Sequence, residues 1–221
     1  MNTTKTLAAT ARPATPIRLY HHALSGHVHR VELFLTLLEL PFEKVPVDIL
    51  VKREQRLPAF LARNPFGQVP VIDDGDLTLA DSNAILVYLA KRYDASGCWL
   101  PEDAIGAARV QRWLSVAADQ LANGPGEVRL SALIGRPCDE GLVKQSSRLF
   151  DLMDQALAAQ PFIAAEHPTI ADLALYAYTA HAPEGGLSLE PHPNVRAWLA
   201  RIEALPRFVG MQRSPLPEAT A

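Results

Sequence analysis

The sequence predicts an α/β domain followed by an all-helical one, and three stretches carry that expectation. Residues 68–93 read as strand, turn, strand and helix, residues 94–103 break all periodicity, and from residue 104 onward apolar residues recur only at helical spacing. A chain of 221 residues, 48% hydrophobic and 20% charged, can bury enough surface for two modest domains.

Residues 1–16 are rich in Thr, Ala and Pro without periodicity, so they are expected to form a flexible extension. Residues 17–21 alternate apolar and polar side chains, which is a strand pattern, and lead into a loop at 22–26. From His27 the residues Val28, Val31, Phe34, Leu35 and Leu38 recur at three and four, and Pro41 stops that helix. Residues 42–50 read as a second strand, placed at an edge or bulge by Pro46. A short helix is expected over 53–63, ended before Pro65. The runs 69–72 and 77–80 flank a cluster of Asp and Gly able to supply the positive φ of a hairpin turn. A helix over 82–93 closes the domain 17–93, whose order β-α-β-α-β-β-α is thioredoxin-like.

The linker 94–103 carries turn chemistry. Beyond it, helices are predicted over 104–121, ended or kinked by Gly124-Pro125-Gly126, then over 139–159, 173–180 and 194–205. Thr169 and Asp172 stand at capping-box spacing before the helix 173–180. With no strand signal, 104–221 reads as an all-α domain.

Several function classes fall away on composition. A net charge of −3 and no run of Lys and Arg interleaved with aromatics leave no face for a nucleic acid. No apolar run approaches the roughly 18 residues of a membrane span. The N-terminus lacks the apolar core of a secretory signal, and a cytoplasmic protein is expected. Cys98 and Cys138 are isolated, so neither a disulfide framework nor a thiolate metal site is indicated. His21, His22, His27 and His29 lack acidic or Cys companions at ligand spacing, and no metal is expected.

The candidate chemistry lies at two predicted helix starts. Asp81 and Ser82 are residue types that cap a helix, and a helix N-terminus delivered by a strand is also a site for a small carboxylate. Ser25 has the same two readings, as a cap with Gly26 or as a site hydroxyl.

The order Val-Pro, acidic hairpin, Asp-Ser-x-Ala-Ile over residues 69–85 resembles the glutathione-binding half of the soluble glutathione transferases. The resemblance extends over residues 17–210, both domains in that family's order. It implies that glutathione lies along the edge of the first domain, where a hydroxyl near the first helix holds its sulfur as the thiolate. Ser25 occupies that place, which resembles the serine-type, theta-like and related bacterial groups, and Tyr20 is the competing hydroxyl or else a packing residue. Such a group is needed because a thiol of pKa ~8.5 is mostly protonated at neutral pH. Lowering it by two units takes about 2.7 kcal/mol.

By the same resemblance Pro70 is cis, Val69 pairs its backbone with the cysteinyl residue, Ser82 and its helix end receive the γ-glutamyl carboxylate, and Asp81 approaches the γ-glutamyl amine. Gln68 reaches the same region, and Gln55, Arg56 or Lys52 takes the glycine carboxylate. His27 and Arg30 are possible lining residues; Arg30 is either structural or site-lining. Arg109, Arg112, Ser115 and Asp119 fall on the helix that in the family faces the electrophile, while Trp113 and Leu114 face the core. Thr169 and Asp172 match a folding motif of the family. The activity implied is conjugation of glutathione, as co-substrate, to small hydrophobic electrophiles, in a homodimer. A glutathione-dependent disulfide reductase or peroxidase, or a non-catalytic ligand-binding module, are the alternatives on this fold.

Overall fold

The computed structural model describes residues 12–215, so most of the extension expected over 1–16 lies outside the described residues. The sheet has four strands in the order β2-β1-β3-β4, with β1 Ile17–His21, β2 Phe42–Pro46, β3 Val71–Asp74 and β4 Leu77–Ala80. Helix α1, Gly26–Leu37, is the crossover that lets β2 run parallel to β1, with Ile17 opposite Phe42 and His21 opposite Pro46. Strand β3 is antiparallel to β1, Leu19 facing Ile72, and the β3–β4 hairpin turns through Gly75 at φ 58 and Asp76. Ile17, Leu19 and Ile72 are fully buried against Phe34 and Leu35 of α1 and against Ile85, Leu86 and Leu89 of α3, Ser82–Tyr93.

Two expected elements are shorter than the sequence pattern suggested. Strand β2 stops at Pro46, because Asp48 Oδ1 accepts from the amides of Leu50 and Val51 and curls the chain away from the sheet. The helix expected over 53–63 is split into a 3₁₀ turn, Glu54–Arg56, and a single-turn α2, Pro58–Leu61. Pro58 has no N–H to join the two.

Beyond residue 103 the described chain is helical: α4 Ala104–Val116, α5 Glu127–Leu133, α6 Glu140–Leu157, α7 Ile170–Ala180 and α8 Pro193–Glu203. Gly124-Pro125-Gly126 does not end the helix before it. The backbone passes through a π-helical segment, Ala117–Gly126, and continues as α5, an element the sequence pattern did not predict. The wider π turn accommodates a proline that cannot donate to the ladder. Helix α7 is central: its residues 170–177 are all buried, which is why its sequence is apolar all round, and it packs on both α1 and α4.

The Thr169 and Asp172 pair forms the expected capping box. Fully buried, Asp172 also accepts from the Ile163 amide and from Trp198 Nε1, both at 2.8 Å. Burial raises its pKa despite these bonds. The carboxylate joins the start of α7 to α8 and to the loop before α7, a structural function.

Candidate active site

Strand ends deliver two helix N-termini to one cleft of about 810 Å³ between the two domains. Its first-domain wall includes Ser25, His27, Gln55, Arg56, Gln68, Val69, Pro70, Asp81 and Ser82, and its second-domain wall includes Asn123, Arg129 and Tyr178. Nine positions singled out in the sequence therefore converge, and the Val69-Pro70 peptide is cis.

At the first N-terminus Ser25 is the helix cap. Its backbone is extended (φ −91, ψ 114), and its Oγ accepts from the Val28 amide at 3.3 Å. A hydroxyl that accepts at the cap keeps its own proton, so capping and donation into the cleft are compatible. The next residue must be small: a Cβ on Gly26 would come within 2.8 Å of the Tyr178 ring. Tyr178 stacks edge to face on His27, with ring centroids 5.1 Å apart, and burial raises its pKa.

At the second N-terminus the division of labour differs. Asp81 caps α3, its Oδ1 accepting from the Ala84 amide at 2.8 Å. It does so at φ 73 and ψ 121, a conformation a non-glycine residue adopts at a cost and one that clusters at functional sites. Ser82, freed from capping, is buried in the first turn. Its Oγ accepts from Arg30 Nη1 at 3.3 Å and lies 3.4 Å from His27 Nδ1. Burial, with Arg30 nearby, lowers the His27 pKa to about 3, so at neutral pH the ring is uncharged.

Arg30 is fully buried and does not line the cleft; it stands behind Ser82, donating also to Asn83 Oδ1 at 2.9 Å. Its Nε and second terminal nitrogen have no partner. Burial brings its pKa down to about 10, which still leaves a cation at neutral pH. A buried positive charge and a helix N-terminus thus sit on the same side of the cleft.

Near the 3₁₀ turn, Gln55 Nε2 donates to the Ile49 carbonyl and its Oε1 is buried without a partner. Arg56 Nη1 donates to the Phe66 carbonyl at 3.3 Å. Lys52 lies outside the cleft lining, 3.9 Å from Glu54.

Besides Arg30, two further expected lining residues are not there. The Tyr20 hydroxyl donates to Asp73 Oδ2 at 2.9 Å, and its ring packs on Phe60 under the Arg63 guanidinium, which leaves Tyr20 a packing residue. Arg112 is exposed over the Trp113 ring, 5.3 Å from its centroid, and Arg109, Ser115 and Asp119 likewise stay off the cleft wall. These positions follow from the helix phase: Trp113 and Leu114 take the buried face, and the charged residues take the outer one. His21, His22 and His29 line a second, smaller pocket of about 140 Å³, where His21 pairs with Glu32 at 3.1 Å and His29 Nε2 with the Val209 carbonyl at 2.8 Å, while His27 lies on the cleft wall. Among the described residues no group of three His, Cys, Asp or Glu could hold a metal.

Of the cleft residues that the sequence expectations did not name, three matter to its geometry. Asn64, buried, fixes the approach to the cis peptide through its bond to the Gln68 carbonyl at 2.8 Å. Tyr178 was visible only as a hydroxyl in an otherwise apolar helix. Arg129 left no local signal at all.

Comparison with known proteins places this geometry. Residues 15–91 match the family described as glutathione S-transferase, N-terminal domain, and residues 134–206 its C-terminal counterpart. The chain is 33% identical to glutathione S-transferase 3 of Zea mays over 204 residues, 87% of this chain and 91% of that protein. A glutathione S-transferase structure from Pseudomonas fluorescens superposes with a TM-score of 0.83 at 35% identity, covering 89% of this chain and 99% of that one. A glutathione transferase homologue from Drosophila mojavensis, solved with bound glutathione, gives 0.78 at 27% identity, over 86% and 89%.

Proposed function

The chain belongs to the glutathione S-transferase family and is a glutathione transferase, and from that premise we propose that Ser25 is the hydroxyl holding the glutathione thiolate, as in serine-type, theta-like enzymes. The observation that carries this is the Ser25 Oγ at the start of α1, opening on the same cleft as the cis Val69-Pro70 peptide and the start of α3. The thiolate is the nucleophile; one charge-assisted hydrogen bond plus the helix end supplies stabilisation of the order the pKa shift requires. The sulfur then attacks an electrophilic carbon, a C–S bond forms, and the electron pair leaves with the departing group or moves onto the acceptor. Apolar Leu130 and Leu133 on the opposite wall support a hydrophobic electrophile.

For the peptide itself, Ser82 and the α3 N-terminus receive the γ-glutamyl carboxylate, with Arg30 as the buried countercharge. Asp81 meets the γ-glutamyl amine, Gln68 flanks it, and Val69 supplies backbone bonds. Arg56, which has donors to spare, takes the glycine carboxylate beside Gln55. Thr169 and Asp172 hold the second domain in place and do not touch substrate.

A homodimer is supported by apolar side chains left in water on the first domain, Phe66 at 79% exposed and Val51 at 85%. No helix of the described residues is long and apolar enough to cross a membrane; a cytoplasmic location is part of the same proposed reading. Cys98 and Cys138 both lie off the cleft wall, which argues against a reductase working through a protein mixed disulfide.

The test is a titration of thiolate absorbance in the complex with glutathione. A depressed thiol pKa is expected, returned toward the free value by Ser25→Ala. A complex that titrates like free glutathione sinks the assignment.

A further inference from the structure

The peptide group immediately before Ser25 is held at both of its polar atoms. Its N–H, belonging to Ser25, donates to the His22 carbonyl at 3.1 Å, and its C=O, belonging to Leu24, accepts from Arg129 Nη1 at 2.9 Å. The first bond is local. The second comes from α5, 105 residues along the chain, and crosses between the domains. Rotation of that peptide plane changes φ of Ser25 and swings its hydroxyl, so whatever fixes Arg129 fixes the direction in which Ser25 points.

Arg129 is itself only 3% exposed, and its other two nitrogens each have a partner. Nε donates to Glu184 Oε2 at 2.7 Å and the second terminal nitrogen to Ser214 Oγ at 2.7 Å. Ser214 closes the ring, its Oγ donating to Glu184 Oε2 at 2.6 Å and its amide to Glu184 Oε1 at 3.1 Å. The opposite Glu184 oxygen also meets His181 Nδ1 at 2.7 Å. Glycine at 185 permits the close approach, since a Cβ there would stand 2.9 Å from the Arg129 amide nitrogen. The segment reaching Ser214 is pinned on its way by the His29 bond to the Val209 carbonyl and by the buried Met211.

We propose that Arg129 is a positioning residue for Ser25, and that the C-terminal segment, through Ser214, sets how firmly Arg129 holds the Leu24–Ser25 peptide. This rests on the reading of Ser25 as the thiolate's hydroxyl.

The test is a double-mutant cycle on the full chain, using a dinitrophenyl halide as electrophile. Arg129→Met lowers turnover at saturating glutathione by about tenfold or more, since a catalytic group displaced by an ångström can cost ~10²-fold. The apparent thiol pKa of bound glutathione rises, while KM for glutathione changes less than about threefold because the peptide is held elsewhere. Arg129→Lys, which keeps one donor, recovers part of the loss. Ser214→Ala moves turnover and pKa the same way by a smaller factor, and it carries the test if Arg129→Met fails to fold. In a Ser25→Ala background neither substitution costs more, because both act through that hydroxyl. Full additivity with Ser25→Ala overturns the inference and leaves the Ser25 assignment standing, as do an unchanged turnover and pKa in Ser214→Ala and Arg129→Lys. Ser25→Ala with wild-type turnover removes the assignment, and the inference falls with it.

Discussion

Ser25 and Ser82 stand at the starts of two helices that open on the same cleft, and they are employed differently. Ser25 is the cap of α1 and lines the cleft, and its cap bond uses the hydroxyl oxygen and leaves the proton free to donate. At α3 the capping is done by Asp81, so Ser82 has no structural duty to the helix and instead meets a fully buried arginine. One end offers a neutral donor, and its neighbour His27 is uncharged at neutral pH. The other end places a desolvated cation behind a hydroxyl. A neutral donor suits a group that must stay reactive; a buried cation suits a carboxylate that must only be held. Under the proposed assignment, the contrast separates a reacting end from a holding end within one cleft.

Removing the Ser25 hydroxyl is the substitution that breaks this contrast most sharply. Ser25→Ala is expected to lower turnover by ~10²–10³-fold, the usual cost of deleting a donor to a reacting anion. Glutathione affinity should change little, because the holding end is intact. Equal losses in turnover and affinity would show that Ser25 serves the helix and not the sulfur.

Asp172 provides the reference case of a helix start with a structural duty alone. Replacing it by Ala strands four donors, among them Trp198 Nε1 and the Thr169 amide, and should cost at least about 3 kcal/mol of stability. In a chain of this length that is a fall in melting temperature of roughly 6–12 °C. Glutathione affinity per folded molecule should be unchanged, and a selective loss of affinity at full stability would contradict the division drawn here.

The neutrality of His27 can be tested through pH. Its pKa is lowered from 6.5 to about 3 in the fold, so between those values the unfolded chain binds the proton and the folded one does not. Stability is therefore intact above pH ~6.5 and declines as pH falls towards 3, by about 1.4 kcal/mol per unit at most. At pH 5 the His27 share is about 2 kcal/mol. His29, lowered to about 4 mainly by burial, acts in the same direction. His27→Asn should flatten the fall in melting temperature between pH 7 and 5, and an unaltered slope would mean that His27 is not held neutral.

The parts of this site legible in the sequence are those whose signals are local. Turn chemistry marked the hairpin, residue type marked the caps at Asp81 and Thr169, and strand β1 followed from its alternation. The resemblance to a known family placed Val69 and Pro70. What stayed hidden depends on contacts across the chain. Arg129 lies in a short helix that the sequence pattern did not predict, and its partners are Leu24, Glu184 and Ser214, all remote in sequence. The resemblance left Tyr20 as a competing hydroxyl or a packing residue, and what decides between them is its partner Asp73, which comes from β3 and is not visible locally. The helix phase around Trp113 similarly decided against Arg112.

The smallest expected effect is the most discriminating for the holding end. In the proposed assignment Ser82→Ala removes a hydroxyl that serves glutathione equally in ground and transition states, so turnover at saturation should survive while the dissociation constant rises. A hydrogen bond to a charged group contributes roughly 1.5–3 kcal/mol. The lower figure applies here, because Arg30 and the helix N-terminus still face the carboxylate, which sets the loss near tenfold. Melting temperature should barely move, since the cap bond from Ala84 goes to Asp81 and not to Ser82. A Ser82→Ala protein that melts early but binds glutathione as before would assign Ser82 to the fold. The buried cation would then be left without a carboxylate to answer, and the contrast between the two helix starts would collapse.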